Sequence, residues 1–121
     1  MKKEVKNWLE QAEHDIEVAE YNLSGNMLDA TAFYSQQAAE KALKSLYISK
    51  FNELWKVHDL VRIASRIQAP TKIVELCAKI MPAYTVTRYP DVGEVYDRRD
   101  VEEVLMSAKE VLEWVRKNLN L

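Results

Sequence analysis

The chain has 121 residues, and 17 basic against 19 acidic side chains give a formal net charge of −2 at pH 7. This length predicts a single domain over residues 1–121, and the nearly balanced charge excludes a protein held on nucleic acid or anionic lipid by a global field. The 48% hydrophobic and 30% charged residues, with two glycines and three prolines, indicate a folded globular chain rather than a disordered one.

Metal, disulfide and targeting signals are weak in this sequence. The single cysteine, Cys77, cannot form an internal disulfide, and the two histidines are too far apart for a recognisable zinc spacing. We therefore expect neither a metal nor a cofactor. The charged start MKKEVKNWLEQAEHD lacks the apolar run of a signal peptide, and no stretch approaches the roughly 18 apolar residues of a membrane span. The sequence thus predicts a cytoplasmic protein.

Two long helices are predicted in the first half of the chain. From residue 5 to 23 apolar side chains recur at spacings of three and four, and Ser24 with Gly25 provides a stop. Residues 28 to about 51 contain no glycine or proline and are rich in residues that favour helix. Because the apolar arc of this second helix is wide, we expect several helices to pack on it and make it the central element.

Shorter helices and a final long one are predicted in the second half. Asp59 can cap a short helix, and Pro70 suits the first turn of a fourth helix that Pro82 closes. Asp100 and Glu103 form an Asp-x-x-Glu start for the last helix. Since no segment alternates convincingly as a strand, we expect an all-α, antiparallel up-and-down bundle of four to five helices.

The connection before the last helix is predicted to be long, covering residues 84–99. Loops beyond about 12–15 residues are uncommon in compact domains unless they are functional or disordered. Three tyrosines make this one a poor candidate for disorder, so we interpret it as an ordered, functional loop. Its Arg98 and Arg99 are ambiguous, because they can instead form surface ion pairs with Asp97, Asp100 or Glu102.

The most ordered polar stripe lies on the second helix and consists of Gln37, Glu40, Lys41 and Lys44. Side chains three or four residues apart project from one face of a helix. The stripe is open to two interpretations, a solvated face supported by an ion pair from Glu40 to Lys44, or one wall of a binding site. The second interpretation needs neighbours, and a bundle can bring His58 and Arg88 beside this helix.

A site built from these residues would suit a nucleotide. Arginine presents a planar fork of donors for phosphate, lysine adds a compact charge, and tyrosines such as Tyr84 and Tyr89 can stack on a base. His58 has two interpretations, a structural role at a helix end and a catalytic role. The structural one is favoured, because a histidine without a defined partner says little about catalysis.

Four segments, taken together, resemble the HEPN domain family of small all-helical proteins. They are Trp8, Ala12 and Asp15 in the first helix, FYSQQAAEKALKSLY at 33–47, HDL at 58–60 and YTVTRYPD at 84–91. The resemblance implies one polar cleft formed by Gln37, Glu40, Lys41, Lys44, His58, Arg88, Tyr89, Pro90 and Asp91. With Tyr84 included for stacking, and Pro90 left out, these are the predicted ligand-binding residues.

The resemblance also implies partners. Proteins of this family are expected to form homodimers, to bind a nucleotide, and to pair with a minimal nucleotidyltransferase encoded nearby, with toxin–antitoxin systems as one form of that pairing. Three tryptophans and six tyrosines are many large rings for a core of this size, which separately favours a homodimer.

Many members of the wider HEPN superfamily are ribonucleases or toxins whose signature is an arginine followed, after four to six residues, by a histidine. This chain lacks the signature, because Gly93, Glu94 and Val95 occupy those positions after Arg88 and no arginine precedes His58. No catalytic residue is therefore predicted. Three functions stay open: a nucleotide- or nucleic-acid-binding module acting with a nucleotidyltransferase, an RNA-cleaving toxin with a non-standard site, and a helical protein–protein adapter.

Overall fold

The computed structural model describes residues 1–87 and 96–121. Its helices are α1 (Lys3–Ser24), α2 (Leu28–Phe51), α3 (Leu60–Arg66), α4 (Thr71–Ile80), the single turn α5 (Ala83–Val86) and α6 (Arg98–Asn118). Helix makes up 78% of these residues, and within the two described ranges there is no strand. The predicted all-α fold is confirmed.

Helix α2 is the centre of the bundle, as predicted, and contacts each of the other five helices. Its side chains are mostly buried, and small ones let neighbouring backbones approach closely, because Ala32, Ala38, Ala39 and Ala42 are fully inaccessible to solvent. Apolar side chains from α1, α3, α4 and α6 complete one continuous core. Helix α2 therefore packs against other helices around most of its circumference.

Helices α1 and α6 flank α2 and run antiparallel to each other. Lys109 of α6 contacts Glu20 of α1 at 2.6 Å between Nζ and Oε2, and Arg116, seven positions later on α6, contacts Glu13. Since the α1 partner moves back along the chain as the α6 residue moves forward, the two helices point in opposite directions. None of the helices in the described ranges has a stretch long and apolar enough to cross a membrane.

The start of α6 differs from the prediction. Asp97 is its N-cap and accepts a hydrogen bond from the Asp100 backbone N–H at 2.8 Å, while the Asp100 side chain accepts from the Asp97 N–H. This reciprocal capping box makes Asp100 the third residue of the helix rather than its start. The prediction was wrong by three residues because Asp97-x-x-Asp100 and Asp100-x-x-Glu103 overlap, and the earlier pair satisfies the first free backbone donors.

The predicted connection over residues 84–99 is shorter than expected. Pro82 does not simply end the preceding helix: with φ of −58° and ψ of −23° it serves as the N-cap of α5, which spans Ala83–Val86. At the other end α6 already begins at Arg98, which pairs with Glu102, one of the three alternatives considered, whereas Arg99 pairs with Glu103. Residues 88–95 lie outside the described ranges.

Capping also fixes the connection between α2 and α3. Asn52 ends α2 in the left-handed region, with φ of 58° and ψ of 31°, a conformation that asparagine tolerates better than most residues. Asp59 then caps α3, as predicted, by accepting from the Arg62 N–H at 3.0 Å. The chain between these two caps returns alongside α2 and brings His58 to its surface.

Candidate functional site

A buried carboxylate on α2 lies at the centre of the candidate site. The Glu40 side chain is 5% exposed and accepts three hydrogen bonds at 3.0 Å each. Gln36 Nε2 donates to its Oε1, and Lys44 Nζ and His58 Nδ1 both contact its Oε2. Together these donors replace the water that the carboxylate loses on burial.

The helical spacing of α2 makes this arrangement possible. Gln36, Glu40 and Lys44 follow each other at intervals of four residues and therefore share one face. Trp8 of α1 covers that face, and its ring centroid lies 5.7 Å from Lys44 Nζ. The ion pair expected between Glu40 and Lys44 is confirmed, but the interpretation of a solvated stripe is wrong for these two residues, because both are buried.

A second ion pair links α1 and α2 beside the first. Lys41 Nζ lies 2.7 Å from Asp15 Oδ2, and Gln11 Nε2 donates to the other carboxylate oxygen of Asp15 at 3.1 Å. The Asp15 side chain is 2% exposed, whereas that of Lys41 is 23% exposed. Lys41 is thus the one lysine of the stripe that both neutralises a buried carboxylate and reaches solvent.

A shallow cleft of about 210 Å³ opens next to this second ion pair. It is lined by the indole of Trp8 and by the polar side chains of Asn7, Gln11 and Lys41. The cleft combines an apolar ring with several hydrogen-bonding groups, but it is smaller than the roughly 300–1,000 Å³ of typical small-ligand sites.

His58 is held between a carboxylate and an aromatic ring. Its Nδ1 contacts Glu40 Oε2 at 3.0 Å, and its ring stacks on Tyr84 of α5 with centroids 4.9 Å apart and an interplanar angle of 20°. Because the acceptor is a carboxylate, Nδ1 carries the hydrogen, and Nε2 is the nitrogen that faces away from Glu40. Asp59 rather than His58 caps α3, and the partner of His58 is the carboxylate of Glu40 on α2.

The structure brings together six of the nine predicted ligand-binding residues. Glu40, Lys44, His58 and Tyr84 form one connected network, Gln37 joins it through Gln36 at 2.7 Å, and Lys41 lies alongside. The other three, Arg88, Tyr89 and Asp91, lie outside the described residues.

Two participants were missed as site residues. Gln36 is one position away from the predicted stripe, and the signal that could have found it is its spacing of four residues before Glu40. Asp15 was named in the sequence analysis only as part of the resemblance to the HEPN family. Its partner Lys41 is 26 residues away, so no local sequence pattern connects the two.

The chemistry of the described site is that of a carboxylate and an imidazole. Fixed in one tautomer by Glu40, the ring of His58 can accept or donate a proton at Nε2, and its side chain is 57% exposed. The charges of Glu40 and Lys44 cancel, and so do those of Asp15 and Lys41. No group of three His, Cys, Asp or Glu side chains that could hold a metal ion occurs in residues 1–87 and 96–121.

Known proteins resemble this chain in both sequence and structure. The crystal structure of TT1696 from Thermus thermophilus has a TM-score of 0.88 and 28% identity, and the match covers 96% of this chain and 98% of that one. The crystal structure of ST0689, described as an archaeal HEPN homologue, has a TM-score of 0.82 and 33% identity, with 98% of each chain covered.

A curated relative and a family model point in the same direction. A Methanocaldococcus jannaschii protein named "Putative toxin MJ1304" is 26% identical over 138 residues, which covers 94% of this chain and 87% of the relative. Residues 5–118 match the model of the HEPN domain. Because that match spans nearly the whole sequence, this chain belongs to the HEPN domain family.

Proposed function

We propose that this HEPN protein binds a nucleotide or a segment of RNA at the site formed by Glu40, His58 and Tyr84, and acts together with a minimal nucleotidyltransferase in a toxin–antitoxin type of system. The observation that carries the proposal is the Glu40–His58–Tyr84 arrangement. A buried carboxylate orients an exposed imidazole, which is itself stacked on a tyrosine ring.

The aromatic part of the site supports recognition of a base. Stacking between a base and an aromatic side chain contributes about 1–3 kcal/mol and tolerates any base, since each has a π face. His58 is more than half exposed, and Tyr84 is half-buried behind it. A base that stacks on this pair would place its hydrogen-bonding edge near His58 Nε2.

The phosphate part of the ligand needs a cation from the edge of the site. Lys44 is buried, so in this proposal its role is to hold Glu40, and Lys41 is the lysine that can reach a phosphate. Since Lys41 is already paired with Asp15, further positive charge is required. Arg88, with Tyr89 and Asp91, remains the sequence-based candidate for completing the site.

Association with other chains is the second part of the proposal. The relative from Methanocaldococcus jannaschii carries toxin in its name, which supports a two-protein system of toxin and partner. Large side chains on the surface, Tyr21, Met27 and Met106, are 81%, 56% and 68% exposed and support pairing with another copy. We expect light scattering to give about twice 14.1 kDa, and a mass of 14.1 kDa at micromolar concentration would contradict a homodimer.

A second candidate function, RNA cleavage, is favoured by one specific observation. The contact of 3.0 Å between Glu40 Oε2 and His58 Nδ1 orients the imidazole as in general acid–base sites, although the arginine–histidine signature is absent. In this alternative, His58 Nε2 would remove the proton from a ribose hydroxyl. A helical adapter without any small ligand is the third possibility.

One set of titrations distinguishes the three functions. AMP, ATP and a short RNA are titrated calorimetrically into the wild-type protein, Tyr84→Leu, His58→Asn and the matched control His14→Asn, which alters the other, exposed histidine. We expect Tyr84→Leu to weaken binding by about 1–3 kcal/mol, because it removes the stacking ring, and His14→Asn to change nothing.

Each negative result has a defined meaning. If no ligand gives heat with a correctly folded protein, the binding proposal fails and the adapter is favoured. If RNA is cleaved over many turnovers without added metal, and His58→Asn abolishes cleavage while His14→Asn keeps it, the nuclease replaces the binding module. Failure to form a complex with a minimal nucleotidyltransferase encoded beside it would refute that partner.

A further inference from the structure

A column of three aromatic rings and two guanidinium groups lies where α2 ends and α3 begins, and its neighbouring rings are tilted by 41° and 32°. The ring of Tyr47 contacts Phe51 and Trp55, with centroid distances of 4.7 Å and 5.4 Å. The guanidinium of Arg66 lies over Phe51 at 4.6 Å, and that of Arg62 lies over Trp55 at 5.1 Å. The three rings thus carry a guanidinium at each end of the column.

The two guanidinium groups differ from the other arginines in the described part of the chain. Arg98, Arg99 and Arg116 each contact a carboxylate, whereas Arg62 and Arg66 have no carboxylate partner among residues 1–87 and 96–121. They are four residues apart on α3, so two like charges are neighbours on one short helix. Such a pair disfavours the helix, and a locally unfavourable feature of this kind indicates a ligand of opposite charge.

Stacking also prepares both groups to bind an anion. A guanidinium held over a ring has less freedom to lose when it binds a ligand. Both arginines are exposed. The anion that suits a planar fork of donors is a phosphate or a carboxylate.

Further cations without a carboxylate partner lie at the same end of the bundle. Lys50 Nζ donates to the Ile67 carbonyl at 2.9 Å, Lys2 donates to Asn52, and Lys56 is exposed between the two caps. In a chain with a net charge of −2, this grouping is local. Carboxylates lie at this end too, Glu53 and Asp59 among them, but the cations outnumber these two. Several cations in one region favour an extended polyanion over a single carboxylate.

We propose that Arg62 and Arg66 bind the phosphodiester backbone of single-stranded RNA, at a site separate from Glu40 and His58. Unstacked bases can lie on the outer planes of the two guanidinium groups, which is a recognised mode of single-strand recognition. The neighbouring Lys50 and Lys56 extend the positive surface along the strand. The proposal goes beyond the function proposed for the Glu40–His58 site and holds whether or not RNA is cleaved there.

The test is the salt dependence of RNA binding by the full chain. A fluorescently labelled single-stranded RNA of about 12 nucleotides is titrated by anisotropy over a series of salt concentrations. The variant Arg62→Gln/Arg66→Gln should make the log–log salt slope shallower by about 1.4, since each phosphate contact on a single strand contributes about 0.7. At 0.1 M salt the same two contacts correspond to a loss of roughly 25-fold in affinity.

Three control variants accompany the test. Arg98→Gln/Arg99→Gln removes two arginines from α6, changes the net charge equally, and should leave both affinity and slope unchanged. Arg62→Lys/Arg66→Lys keeps the charge but lacks the planar fork, so the slope should stay while affinity falls. The glutamine variant is also measured in a His58→Asn background, which weakens the first site; its change in slope should be the same in both backgrounds, so that failure of either proposal is seen separately.

Several results would overturn the inference. Unchanged affinity and slope in the folded glutamine variant would exclude the two arginines from RNA binding. Equal displacement of the RNA by inorganic phosphate at matched phosphate concentration would exclude an extended strand, and equal displacement by polyglutamate would exclude nucleic acid as the specific ligand. If the glutamine variant unfolds at a lower temperature because the column is lost, the folded variant Arg62→Lys/Arg66→Lys is the test. Wild-type affinity for RNA in this variant would refute the proposal.

Discussion

Replacing Lys44 with methionine would test whether the buried carboxylate of Glu40 depends on its neighbouring cation. Methionine keeps the length and apolar volume of the lysine stem but removes the charge. Glu40, with 5% of its side chain exposed, would then keep only the donors Gln36 and His58. Breaking a buried ion pair by removing one partner costs about 3–5 kcal/mol, and the two remaining donors place the expected loss near the lower limit, about 3 kcal/mol.

Replacing the carboxylate instead of the lysine should destabilise the protein more. Glu40→Leu leaves the Lys44 ammonium buried with the ring of Trp8, at 5.7 Å, in place of its carboxylate, so we expect a loss of about 5 kcal/mol. The double variant Glu40→Leu/Lys44→Met carries neither charge and should lose much less than the sum, about 0–2 kcal/mol. The two single replacements are thus predicted to be coupled by several kcal/mol, because each one leaves the other charge buried without its partner.

The assay is urea unfolding followed by circular dichroism, with a parallel thermal scan. At this chain length 1 kcal/mol corresponds to about 4 °C in Tm, so Lys44→Met should melt about 12 °C below the wild type. The matched control is Lys72→Met, which removes a lysine paired with Glu110 at 3.4 Å on the surface and should cost no more than about 0.5 kcal/mol. The reasoning is refuted if Lys44→Met costs less than about 1 kcal/mol, or if the double variant is as unstable as Glu40→Leu.

Buried and capping groups give three further predictions. Lys41→Met should lower the free energy of unfolding by about 1–3 kcal/mol, because Asp15 stays buried with one donor fewer, and urea unfolding measures it. Burial raises the pKa of the Cys77 thiol to about 12 from 9.0, so between pH 9 and 12 the unfolded chain loses this proton first and the free energy of unfolding falls as pH rises. This thiol contributes at most about 1.4 kcal/mol per pH unit to that fall. Urea unfolding of wild type and Cys77→Ala over this pH range should show that the variant lacks this contribution. Asp97→Ala should cost about 1 kcal/mol and shift the melting temperature accordingly, whereas an unchanged Tm would contradict the capping role.

Local sequence patterns were sufficient to predict most of the helices. Apolar spacings of three and four predicted α1 almost to its ends, and a run of helix-favouring residues without glycine or proline predicted α2. Helix starts were harder to place. Two carboxylates three residues apart, Asp97 and Asp100, both satisfy capping chemistry, and only the path of the chain decides between them.

The candidate site was predicted less completely, for a physical reason. Polar residues such as Glu40 and Lys44 are expected at the surface, and a sequence pattern records polarity rather than burial. Their burial depends on Trp8 from another helix and on His58 from the following connection. The family resemblance named Glu40, Lys44 and His58 together, and these lie together beside α2, while Gln36, which also donates to Glu40, became evident only from the fold.

The spacing of Glu40 and Lys44 also has a consequence for the order of events during folding. Both residues lie on α2, four positions apart, so their ion pair can form as soon as this helix forms, before α1 and α6 dock. The two charges then enter the interior as a neutral pair, which is easier to dehydrate than two separate ions. Asp15 and Lys41, in contrast, belong to different helices and can meet only when α1 docks on α2. Transition-state analysis should therefore find the first pair formed early and the second late.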